Sequence, residues 1–222
     1  MGQPEGTRAP AAAERILSPH AAELLLWGGV LVILGYFLYY QPEERLRIAP
    51  HARLGRVLLL LGGAFAYGSL RRSRLSGRAA LLLAVCVLQA LLMATAWVVY
   101  VYHFEGGRLP VPAALLARFR SVTLGCDLAV IFALLLLLHG AGRASKLGFA
   151  LGVLFFPIAS LALLAAPFVL GDPFWQAALN WPASEAAQRP AMALEIAPAV
   201  FSLIVLVKVY RLTHPRAGTA AG

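Results

Sequence analysis

Six long stretches of this sequence carry almost no charge, and short segments rich in Arg, Pro and Gly separate them. The stretches are residues 22–40, 55–70, 79–102, 121–139, 147–170 and 191–208. A helix crosses about 30 Å of hydrocarbon with about 20 mostly apolar residues, and five of the six meet that length closely. The second is the exception. Its strictly apolar part, Val57 to Leu70, is bounded by Arg56 and Arg71 and reaches only about 21 Å at 1.5 Å per residue. It spans by snorkelling of its arginines, by local thinning of the bilayer, or by extension back through Leu54 and Gly55. Aromatic residues close the first run (Tyr36, Phe37, Tyr39, Tyr40) and the third (Trp97, Tyr100, Tyr102), as interfacial belts do.

The pattern predicts an all-α fold: a polytopic membrane helix bundle of about six transmembrane helices with short loops and no soluble domain. Residues 22–210 form a single transmembrane domain between polar tails at 1–21 and 211–222. The N-terminal tail has no apolar h-region or cleavage pattern ahead of the first long run, so that run reads as a retained span. Leu109 to Arg120 admits two readings: an amphipathic segment lying in the interface, or an early extension of the fourth helix. No internal repeat of 20–50 residues is visible, and a three-plus-three inverted arrangement finds no residue-level match.

Composition agrees. Sixty per cent of the 222 residues are apolar and 13% charged, and the mean hydropathy is +0.76. Too few polar groups remain to coat a soluble globule. The net charge of +9 arises from 19 basic and 10 acidic residues. The basic residues sit between the apolar runs and at the chain ends, where a spanning protein keeps them, so nucleic acid is excluded as the partner. With both termini on one side, that side carries eleven basic residues against eight opposite. Six of the eleven (Arg71, Arg72, Arg74, Arg78, Arg143, Lys146) lie in two tight hairpins, and short loops weigh most in the positive-inside rule. The expected location is a bacterial inner membrane with both termini cytoplasmic; the Arg-rich 41–56 loop is the contrary evidence.

Three acids fall in or at the spans: Glu23, Asp127 and Glu195. Burying such a group costs at least about 2.5–3.5 kcal/mol, which makes it a pointer to function. Glu23 sits near the start of the first run, where headgroup water and the helix dipole satisfy it. Asp127 and Glu195 enter from the same side and lie at similar depth, about 6–9 Å below it at 1.5 Å per residue. With His103 and Cys126 they form the candidate intramembrane polar cluster, suited to a proton relay, a cation site or a metal site. The alternative is structural pairing, Asp127 with Arg120 two turns back and Glu195 with Arg189. Pro198 removes the amide that would bond Leu194 and so predicts a kink beside Glu195. Gln89 and Ser160 are the expected polar groups of the bundle interior, with Pro157 marking a kink in the fifth span.

His20, His139, His51 and His103 are candidate haem ligands, two near each side, but all lie at span ends or in loops. No cofactor or metal is predicted. Cys86 and Cys126 fall inside apolar runs and read as small hydrophobes. Gly148 and Gly152 form a GxxxG match, and Gly28-Gly29 and Gly62-Gly63 read likewise as close-packing positions. No GxSxG, HExxH, CxxC, Walker A or GxGxxG stands in a usable context. The leading expectation is therefore a non-enzymatic accessory or structural subunit of a larger membrane complex, with the lipid bilayer and other membrane subunits as partners. The alternatives are a proton- or cation-coupled small-solute transporter using Asp127 and Glu195, and a membrane-embedded redox, metal- or haem-binding enzyme.

Overall fold

The computed structural model describes residues 16–38, 50–100, 113–169, 199–211 and 213. These form an all-α, six-helix bundle: α1 (Pro19–Leu38), α2 (Pro50–Leu70), α3 (Ser76–Tyr100), α4 (Ala113–Gly140), α5 (Lys146–Val169) and α6 (Ala199–Tyr210). Two of them, α3 and α4, contain stretches long and apolar enough to cross a membrane: Ser76–Thr95 and Val122–Gly140. The apolar stretches of α1, α5 and α6 are shorter.

Local chemistry sets the helix ends. Pro19 and Pro50 open α1 and α2, where a missing N–H removes nothing from the ladder. The Ser18 hydroxyl accepts from the Ala21 amide and the Ser145 hydroxyl from the Gly148 amide, capping α1 and α5. Gly142, at φ 69°, ends α4: the Arg143 amide donates back to the Leu138 carbonyl, the wrapped bond of a left-handed C-cap. The chain then reverses directly into α5.

Consecutive helices pack antiparallel. Along α1 and α2, Gly35 faces Ala52, Gly28 faces Gly55 and Leu59, and Gly62 faces Leu25. Along α3 and α4, the Arg78 Nη1 donates to the Leu136 carbonyl at 3.1 Å and the Gln89 amide meets Asp127. Between α4 and α5, Gly152 faces Leu135 and His139 stacks on Phe149. α6 closes the group through Leu206 against Gly29 and Phe201 against Phe156, whose ring centroids are 5.2 Å apart. α4 is the axis: Cys126, Asp127, Leu128, Val130, Ile131, Leu134, Leu137 and Leu138 are all buried.

Several helices begin earlier than the hydropathy pattern predicts. α1 starts at Pro19, with Leu17 and Ala21 already in the core. α2 starts at Pro50 and has 21 residues, about 31 Å at 1.5 Å per residue. Arg56 therefore lies inside it, as extension of the span back through Leu54 and Gly55 requires. α4 runs unbroken from Ala113, so residues 113–120 extend the fourth helix and Asp127 stands near its middle, deeper than a start at 121 implies. α5 continues through Pro157. The remainder of Leu109–Arg120 and Pro198 lie outside the described residues.

The closest approach in the bundle is α1 on α2. A Cβ on Gly55 would lie 2.6 Å from the Gly28 carbonyl oxygen and 2.9 Å from the Val32 amide, so only backbone fits there. The same addition at Gly68 would meet nothing within 4 Å. Thermal unfolding in detergent is expected to separate the two. Gly55→Ala should destabilise by about 1–3 kcal/mol through overpacking, whereas Gly68→Ala should be neutral or stabilising by up to about 1 kcal/mol through helix propensity.

Candidate functional site

Four buried polar side chains, Arg56, Gln89, Asp127 and Ser160, meet along α4. Asp127 is 7% exposed, and Arg56 and Gln89 are 5% and 1% exposed. The Arg56 guanidinium grips the carboxylate with two bonds, Nε to Oδ1 at 3.1 Å and Nη2 to Oδ2 at 2.6 Å. The Gln89 Nε2 donates to the same Oδ1. Two residues before Asp127, the Gly125 carbonyl accepts the Ser160 hydroxyl at 2.7 Å. One short segment of α4 thus collects a polar group from each of α2, α3 and α5.

Each contact follows from where the helices hold their residues. Gly55, next to Arg56, lets α2 lie backbone-to-backbone on α1, and Ala52, Leu59, Gly62 and Ala66 complete the buried face. Arg56 shares that buried face, while Leu54, Val57, Leu61 and Phe65 are exposed. Gln89 is one turn beyond Cys86, which packs near Gly63 of α2, so α3 delivers the amide to the seam between α2 and α4. A planar guanidinium matches a carboxylate in this two-bond geometry, which a lysine would not reproduce.

The arrangement closes one polar requirement and leaves another. Asp127 receives its counter-charge from Arg56 in another helix, a pairing the linear pattern does not display. The Gln89 Oε1 is buried without a hydrogen-bond donor among the described residues. That acceptor lies beside the ion pair, on the same side chain whose Nε2 donates to Asp127.

Cys126 is buried beside Asp127 in sequence, and Cys86 is buried on α3. Glu195 and His103 lie outside the described residues, so the cluster is described only for Asp127 and Cys126. Glu23 is exposed on the second turn of α1. His20 and His51 are exposed at the starts of α1 and α2; His139 is exposed at the end of α4, its ring 3.7 Å from that of Phe149 and 11° from parallel. Among the described residues no three of His, Cys, Asp and Glu gather where they would hold a metal ion. Of the glycine pairs, Gly152 meets Leu135 of α4, while Gly148 approaches only the Ser145 hydroxyl, so the GxxxG match serves packing at one of its two positions.

No family model matches the chain, and no curated protein or solved structure matches it.

Removing either partner of the ion pair leaves a buried charge alone. Arg56→Met and Asp127→Leu are each expected to destabilise the bundle by about 3–5 kcal/mol in detergent unfolding. The double variant should recover most of that loss, giving a favourable coupling in the double-mutant cycle. Additive losses would mean that the two side chains do not act as a pair.

Proposed function

We propose that this chain is a multi-pass membrane protein whose six helices are embedded together, and that it serves as a non-enzymatic accessory or structural subunit of a larger membrane complex. The observation that carries this reading is the inverted distribution of polarity. Trp27, Leu61, Phe65, Leu91, Leu154, Ile158 and Leu161 face outward, whereas Arg56, Gln89, Asp127, Ser160 and Ser202 are buried. Water as solvent would favour the reverse; hydrocarbon requires this one. α5 presents an apolar flank from Leu147 to Leu161, broad enough for lipid or a neighbouring subunit.

The charges support an orientation. The start of α1, the turn after α2 and the turn after α4 share one end of the bundle, and Arg71, Arg72, Arg74, Arg143 and Lys146 are exposed there. By the positive-inside rule that end is cytoplasmic, which puts both termini inside, in a bacterial inner membrane. Cation–π contact at the other end, Arg53 lying 6.0 Å from the Trp97 ring centroid, suits an outer interface.

A second reading has its own observation. The unpartnered Gln89 Oε1 beside Asp127 is an acceptor in mid-bundle, which favours a proton- or cation-coupled small-solute transporter using Asp127, with Glu195 as its second acid.

Three results test these readings. The chain should remain in membranes washed at high pH, and release into the supernatant would contradict embedding. An Arg74→Cys variant should react with an impermeant thiol reagent in inside-out vesicles and stay unlabelled in right-side-out ones; the opposite pattern reverses the orientation. On native gels in mild detergent the chain should migrate with stable partners. A monodisperse lone chain would contradict the subunit role, and solute flux into proteoliposomes that Asp127→Asn abolishes would establish transport instead.

A further inference from the structure

We propose that the two short turns at the basic end of the bundle form one binding surface for the phosphate headgroup of an anionic phospholipid. This inference rests on the membrane reading above and names a ligand for its cytoplasmic end.

Arg71, Arg72 and Arg74 lie on the turn between α2 and α3, and Arg143 and Lys146 on the turn between α4 and α5; all five are exposed. None of the five forms an ion pair with a described residue. Arg78 is used differently. Its Nη1 donates to the Leu136 carbonyl near the end of α4, fixing the first turn of α3 against the last turns of α4. Gly140 makes room for this: a Cβ there would collide with the Arg78 guanidinium and with Leu75. The tether, with Leu75 beside Gly140, holds the two turns next to each other at one end of the bundle.

Five exposed positive charges on two tethered turns attract a counter-anion, and the surroundings select its kind. In the first three turns of the helices that leave these turns, α3 exposes Leu81 and α5 exposes Leu147, Leu151 and Leu154. A ligand that fits both features is anionic at one end and apolar along its length. A phosphodiester accepts several arginine bonds at once, and its acyl chains run down the apolar flanks. An acidic soluble peptide would satisfy the cations and leave those flanks uncovered.

The full chain, reconstituted into vesicles of mixed phosphatidylcholine and phosphatidylglycerol and then released into detergent, is examined by native mass spectrometry for retained lipid. The wild type should retain phosphatidylglycerol at least roughly tenfold over phosphatidylcholine, and the combined variant Arg71→Gln, Arg72→Gln, Arg74→Gln should lose that preference, since each basic residue near a membrane surface contributes appreciably. Gly140→Ala, which keeps every charge but displaces Arg78, should reduce the preference several-fold. Equal retention of the two lipids by the wild type, or an undiminished preference in the triple variant, overturns the lipid surface while leaving membrane embedding intact. A chain that fails to enter the vesicles overturns both. An acidic polypeptide that co-purifies and displaces the retained lipid shows that the surface serves a protein.

Discussion

The polar seam of the described bundle is arranged around one constraint, the requirement that Asp127 and Arg56 be neutralised away from water. A carboxylate or a guanidinium alone in an apolar medium carries a penalty of several kcal/mol, and the pair is tolerable only when geometry and additional bonds are good. Here the guanidinium meets both carboxylate oxygens and a third donor comes from Gln89. That requirement fixes the angular position of α2, α3 and α4 about their axes. A rotation of any of them by one residue, about 100°, would carry its polar group out of the seam.

The constraint reaches further through packing. Arg56 enters the interior because Gly55 and Gly28 bring α1 and α2 into backbone contact, which leaves the neighbouring face of α2 free to meet α4. Small residues that let backbones approach and hydrogen bonds between helices are two ways to hold helices together. The bundle uses both: Gly28, Gly55, Gly62 and Gly152 at helix contacts, and the Asp127 and Ser160 bonds at the axis. α4 is buried because it is the common partner, and α5 exposes most of its surface because its inward face is narrow, formed by Gly152, Phe156 and Ser160.

The all-α, six-helix division was legible in the sequence because hydropathy is a sum over a window and long apolar runs dominate it. Gln89 and Ser160 were legible too, each a polar side chain in an apolar run with only the interior to turn to. Arg56 was not. A window counts each charge as a cost, so an arginine reads as the end of a span, and its cancellation by a carboxylate 71 positions away is invisible to any local average. Arg118, Arg120 and two prolines left residues 109–120 with two readings for the same reason, and the helix that begins at Ala113 selects the extension of the fourth span. Gly55 could be read only as a possible extension of a span, since its value lies in what faces it. Asp127 stood out from the beginning as a charge in an apolar run; its partner had to come from the fold.

The pairing itself is directly observable. With the chain in lipid bilayers, guanidinium nitrogens labelled with nitrogen-15 and aspartate carboxyls with carbon-13, magic-angle-spinning NMR measures their dipolar coupling. An Arg56 Nη2 that lies 2.6 Å from Asp127 Oδ2 should give strong dephasing of the Asp127 carboxyl signal, and the signal should identify itself by vanishing in Asp127→Asn. A carboxyl that shows no dephasing from any arginine nitrogen would contradict the account.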